Sequence, residues 1–172
     1  MKNPVLVGVG SNIEPERHIE QALIALVERF GPLRASPAYR SVPVGFEGED
    51  FINLVLELHS ELAPPELVDA LHEIEANCGR RRDGVRFAPR VLDLDLLMVG
   101  QMITEPGSQP SLPRDEILRY AFVLRPLAEL APDLWHPVAR ETMRDLWLRH
   151  RASIDQGDLR PVTLNWPAGV TD

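Results

Sequence analysis

The stretch Val91-Leu92-Asp93-Leu94-Asp95-Leu96-Leu97-Met98 decides how the chain is read. Side chains of a strand alternate between the two faces of a sheet. Leu92, Leu94, Leu96 and Met98 fall on one face, as a core requires, and Asp93 and Asp95 fall on the other. The usual rise puts the two carboxylates about 7 Å apart along the strand. A second stretch, Phe51-Ile52-Asn53-Leu54-Val55-Leu56-Glu57-Leu58, has the same alternation. Its even positions are aliphatic and face the core, while Phe51 and Asn53 share the opposite face with Glu57.

Working outward, residues 64–78 between these strands predict a helix striped by Leu67, Leu71, Ile74 and Cys78. Upstream, residues 5–9 predict a first strand and residues 14–30 a helix with Ile19, Leu23, Leu26 and Phe30 on one face. Pro15 is harmless near the start of that helix, and Gly31-Pro32 ends it. Residues 33–41 predict a weaker strand, interrupted by Pro37 and therefore placed at an edge. The order β-α-β-β-α-β predicts an α+β, ferredoxin-like sandwich: an antiparallel sheet with both helices packed on one face. Extra C-terminal helices follow residue 112, with residues 141–150 the best candidate. Without a repeat or a linker, residues 1–152 are expected to form one domain. Residues 153–172 are its C-terminal extension, expected as an extended tail.

The chain has 172 residues and a formal net charge of -8, a poor balance for binding nucleic acid or an anionic membrane. No apolar run approaches the roughly 18 residues needed to cross a bilayer. The start of the chain is too short in its apolar run for a signal peptide. Cys78 is the single cysteine, which excludes an internal disulfide and fits a reducing, cytoplasmic setting. On an apolar helical stripe it reads as core rather than nucleophile. The five histidines lack zinc-ligand spacing. Gly8-Val9-Gly10 lacks the third glycine of a dinucleotide fingerprint and reads as a strand-to-loop turn.

Two carboxylates on one strand face repel unless a cation lies between them. Mg²⁺ commonly takes one or two carboxylates together with phosphate oxygens. Taken alone, the pair is equally the solvated face of an amphipathic strand. The preceding segment, residues 79–90, carries five arginines against one aspartate and no lysine. A planar guanidinium meets phosphate oxygens at two points, and a Gly- and Pro-containing loop can close over a ligand. Cations beside a metal site are what phosphoryl transfer needs. Phe51 and Asn53 would offer a stacking ring and an amide to a planar heterocycle. An incidental exposed pair is the plainer reading when they are taken alone. His72 and Glu75 lie beside the stripe of the second helix, where a nucleotide contact and a surface role are equally open.

These residues resemble the 6-hydroxymethyl-7,8-dihydropterin pyrophosphokinase family. The matching pieces are Gly10-Ser11-Asn12, Tyr39-Arg40-Ser41-Val42-Pro43-Val44-Gly45, Phe51-Ile52-Asn53, Gly79-Arg80-Arg81-Arg82, Pro89-Arg90-Val91-Leu92-Asp93-Leu94-Asp95 and Phe122-Val123-Leu124-Arg125-Pro126-Leu127 with Ala131-Pro132. The resemblance implies transfer of pyrophosphate from ATP to a pterin hydroxymethyl group in folate biosynthesis, releasing AMP. It implies Asp93 and Asp95 as ligands of two Mg²⁺ ions, and Arg80 and Arg90 as phosphate-gripping catalytic groups. Phe51 and Phe122 would sandwich the pterin and Asn53 read its edge. Ser41, Pro43, Val44 and Gly45 would complete that pocket, and Phe87 would belong to the closing lid. His72, Glu75, Arg82, Leu96 and Ser111 fall where the family meets ATP. Two ATP positions depart from the family: Arg114 replaces a histidine and Tyr120 an arginine. The partners implied are ATP and a small pterin alcohol, with no nucleic acid or membrane, and the chain is expected to be a monomer. An RNA-binding module and a pterin-binding paralogue, catalytically impaired or acting on a modified pterin, are the competing readings.

Overall fold

The computed structural model describes residues 1–42, 48–78, 92–154 and 159–172. In chain order the elements are β1 (Asn3–Ser11), α1 (Pro15–Phe30), β2 (Leu33–Ala35), β3 (Ala38–Ser41) and β4 (Phe51–Ser60). Next come α2 (Pro64–Asn77), β5 (Asp93–Val99), α3 (Glu116–Arg119) and α4 (Ala121–Leu130). Then follow β6 (Trp135–His136), β7 (Glu141–Thr142), α5 (Met143–His150), β8 (Arg160–Val162) and β9 (Val170–Thr171). Strand β1 lies between β5 and β4 and is antiparallel to both. The far side of β4 is shared by β2 and β3. The expected ferredoxin-like α+β sheet is present, mostly antiparallel, with one parallel pair between β2 and β9.

Pro37 divides the predicted strand at residues 33–41 into β2 and β3, but pairing with β4 survives the break. Ser36 donates its N–H to the Val55 carbonyl, and its hydroxyl accepts the Val55 N–H, both at 2.9 Å. This strand pair is not an edge, because β9 and β8 pair outside it. The segment expected as a tail therefore supplies two strands. Leu164 and Val170 are buried, and Trp166 packs on the core. Gly169 adopts φ +90° against α1, where an added Cβ would stand 2.7 Å from Val27 Cγ1.

One sheet face is covered by α1 and α2. Ile19, Leu23, Leu26, Leu67, Leu71 and Ile74 meet Val5, Val7, Leu54, Leu56 and Leu94 in the main core. The C-terminal helices pack on the opposite face, over one end of it. Leu124, Leu127, Met143 and Leu146 cover Leu6, Val55, Leu97 and Met98 there. Met98 therefore does not share the face of Leu92, Leu94 and Leu96 as its spacing predicts. The register with β1 steps from Leu96 opposite Val7 to Met98 opposite Leu6, so Leu97 is an extra residue. That bulge turns both Leu97 and Met98 toward α4 and returns Val99 to the main core. Among the described residues no helix is long and apolar enough to cross a membrane.

Candidate active site

The uncovered end of the second face is built on three adjacent strands. Asp93 of β5 lies opposite Gly10 of β1, which lies opposite Asn53 of β4. One pleat further, Asp95 lies opposite Gly8, which lies opposite Val55. Both aspartates therefore point to the same side, and both line one cleft of about 370 Å³ with Ser41, Phe51, Asn53 and Phe122. Gly8 and Gly10 are its floor. They are not a turn, as their spacing suggests, but strand positions whose missing side chains leave the cleft open. A Cβ on Gly10 would come within 2.7 Å of Asn53 Oδ1. The available signal was glycine at i and i+2 within a strand, hence on one face.

Burial and the neighbouring Asp93 carboxylate push Asp95 up to about 7, although Arg114 pulls the other way. Two hard oxygen donors whose negative charges disfavour each other suit a divalent cation. Among the described residues no group of three or more His, Cys, Asp or Glu side chains is placed to hold a metal. The remaining ligands of an ion on this pair would be water and substrate oxygens, as Mg²⁺ commonly takes.

A second cavity of about 480 Å³ adjoins the first and is lined by Val68, His72 and Ser111, with Arg114 and Glu116 common to both. Glu75 lies beneath, buried, with Oε2 accepting the Leu94 N–H at 3.2 Å and Oε1 3.9 Å from His72 Nε2. Leu94 sits between the two aspartates on an outer strand, so Glu75 braces the strand that carries them. Leu96 is a core residue. Tyr120 stacks on Phe122, ring centroids 5.0 Å apart and planes 15° apart, and lines neither cavity. Pro43, Val44, Gly45, Arg80, Arg82, Phe87 and Arg90 lie outside the described residues.

The family model for 7,8-dihydro-6-hydroxymethylpterin-pyrophosphokinase matches residues 6–132. This chain belongs to that family. It is an enzyme, a pyrophosphokinase of the ATP-dependent diphosphotransferase class. Among relatives, the 2-amino-4-hydroxy-6-hydroxymethyldihydropteridine pyrophosphokinase of Pseudomonas aeruginosa is 44% identical over 146 residues, covering 79% of this chain and 85% of that protein. The protein of the same name from Bacillus subtilis is 35% identical, covering 76% of this chain and 79% of its own length. In three dimensions the pyrophosphokinase is similar to wild-type Plasmodium falciparum HPPK-DHPS, with TM-score 0.68 at 13% identity. The match takes in 88% of this chain and only 45% of the Plasmodium chain, and at that identity it speaks for the fold.

Proposed function

We propose that this pyrophosphokinase transfers pyrophosphate from ATP to the hydroxymethyl group of 6-hydroxymethyl-7,8-dihydropterin, giving AMP and the pterin diphosphate. On this reading it works as a cytoplasmic monomer in folate biosynthesis. The observation that carries the reading is the shared cleft: Phe51, Phe122 and Asn53 at one side, Asp93 and Asp95 at the other. Two aromatic rings and an amide suit a planar heterocycle, and paired carboxylates suit a metal-bound polyphosphate. The adjoining cavity with His72, Ser111 and Arg114 offers room for the nucleotide.

In the proposed reaction the pterin hydroxyl oxygen attacks the β-phosphorus of ATP in line. The bond from that phosphorus to the α,β-bridging oxygen breaks, AMP leaves, and the hydroxyl proton passes to solvent. Asp93 and Asp95 would hold two Mg²⁺ ions, which supply charge neutralisation to the polyphosphate. Phe51 and Phe122 stack the pterin while Asn53 reads its polar edge, so the hydroxymethyl arm is oriented toward the carboxylate end of the cleft. Arg80 and Arg90 would grip the phosphates, with Arg82, Glu75 and the Leu96 backbone on the nucleotide side and Phe87 in the lid. Positioning and electrostatics carry such a transfer, and no protein nucleophile is required. The test incubates protein, Mg²⁺, ATP and the pterin alcohol and resolves the nucleotides. Stoichiometric AMP and pterin diphosphate are expected; ADP, or no pterin-dependent turnover, refutes the assignment.

A further inference from the structure

Arg114 stands at the junction of the two cavities, and with Glu116 it lines both. Its main-chain N–H donates to the Leu97 carbonyl at 2.9 Å, which ties the residue to β5 just beyond Asp95. Its side chain is held from two sides. Nη2 lies 3.1 Å from Glu116 Oε1 and 3.6 Å from Asp95 Oδ1. Nε is buried and has no hydrogen-bond partner among the described residues. An unmatched buried donor is costly, and it is more so on a charged group.

Both facts bear on how a divalent ion reaches Asp95. An Mg²⁺ ion must approach a carboxylate oxygen to about 2.1 Å. A guanidinium already beside that oxygen takes up part of the approach and repels a second cation. A polyphosphate brings a better acceptor for the guanidinium than either carboxylate geometry provides, and it can satisfy Nε as well. Glu116 lies on the rim of both cavities and already holds Nη2, and the main-chain tie to Leu97 leaves the arginine side chain free to change partner there.

Building on the pyrophosphokinase reading, we infer that Arg114 is an internal counter-cation, which keeps Asp95 from taking up a divalent ion alone and passes to the phosphates when nucleotide arrives. Metal and nucleotide are thereby admitted together. A neutral side chain at 114 would leave Asp95 open to free metal and would weaken nucleotide binding, two changes of opposite sign from one substitution. A residue that merely supported the local fold would weaken both.

The test titrates Mn²⁺ against the nucleotide-free protein and reads free Mn²⁺ by electron paramagnetic resonance. Arg114→Ala is expected to tighten Mn²⁺ binding about tenfold, within the usual range of coupling between sites. The same variant should raise the KM for ATP by about tenfold. Arg114→Lys, which keeps the charge, should hold Mn²⁺ affinity near the wild-type value. Arg114→Gln repeats the neutral arm if the alanine variant does not fold. Unchanged Mn²⁺ affinity in the neutral variants, or a lysine variant that behaves like them, overturns the inference. AMP formation by the wild-type protein tests the reaction separately. Failure of that assay with tightened Mn²⁺ binding would sink the reaction and leave the counter-cation standing.

Discussion

The two ends of one sheet face are built to opposite standards. At the covered end, Leu6, Val55, Leu97 and Met98 are sealed by α4 and α5. Beside that seal Tyr39, Glu129 and Arg125 form one matched polar set. Tyr39 donates to Glu129 at 2.6 Å, Glu129 accepts from Arg125 Nε at 3.2 Å, and the Arg125 guanidinium lies over the Tyr39 ring. Burial and Glu129 push the tyrosine up to about 12, keeping it neutral as the donor the network needs. At the open end, glycines replace side chains, two carboxylates face the same cleft, and Arg114 Nε is buried without a hydrogen-bond partner among the described residues. On the proposed reading, the open end leaves charge and contacts for ligands to supply, while a few residues along the same strands the packing is closed.

The largest effect expected from breaking this contrast is at the open end. Asp95→Ala should lower turnover by about a thousandfold or more, the scale of losing a preorganised electrostatic group. Its thermal unfolding should stay cooperative and its AMP formation should vanish into background; substantial residual activity would move the metal site elsewhere. At the covered end, Leu124→Ala should cost about 3 kcal/mol of stability by opening a cavity beneath α4. That is about 10 °C in melting temperature for a chain of this size. Below the melt, its kcat should remain close to wild type, because Leu124 is fully buried away from the cleft.

A smaller effect sharpens the boundary between the ends. Gly10→Ala would displace the Asn53 amide and should raise the KM for the pterin by about tenfold, or ~1.4 kcal/mol, with little change in the KM for ATP. Equal effects on both substrates would mean that Asn53 does not read the pterin.

The mildest contrast is in pH dependence, where the two ends have opposite sign. Asp95 titrates near 7 when folded, above its ordinary value of 3.8. In metal-free protein its contribution to stability is full below about pH 4 and is lost as pH rises toward 7. His136, buried with Nδ1 accepting the N–H groups of Val138 and Ala139, is held below its ordinary value of 6.5 by burial. Its contribution is full above 6.5 and is lost as pH falls below it. Denaturant midpoints measured from pH 4 to 8 should flatten at the upper end in Asp95→Asn and at the lower end in His136→Gln.

Alternation and helical spacing made the central elements legible: β1, β4, β5, α1 and α2 all follow patterns visible in single segments. The aspartates were assigned to one face by period-two spacing, and they share it. What spacing missed was non-local. The bulge at Leu97 depends on pairing with β1, so the sequence of β5 alone could not reveal the turn of Met98 to the other layer. The strands β8 and β9 are too short for periodicity and exist because β3 and β2 offer them partners. Spacing leaves Glu75 open between a nucleotide contact and a surface role, because its hydrogen bond from the Leu94 N–H is visible only once β5 is beside α2. The Gly8 and Gly10 floor was misread because the absence of a side chain means little until its neighbours across the sheet are known.

The pairing of β8 and β9 outside β3 and β2 bears on how the protein behaves when crowded. Unpaired backbone along a sheet margin invites strand addition from neighbouring molecules. Here the last residues of the chain occupy much of that margin with segments of two and three residues, one containing Pro161, too short to template a partner. Trimming the chain before Arg160 would uncover the backbone of β2 and β3, and aggregation at high concentration is the expected result.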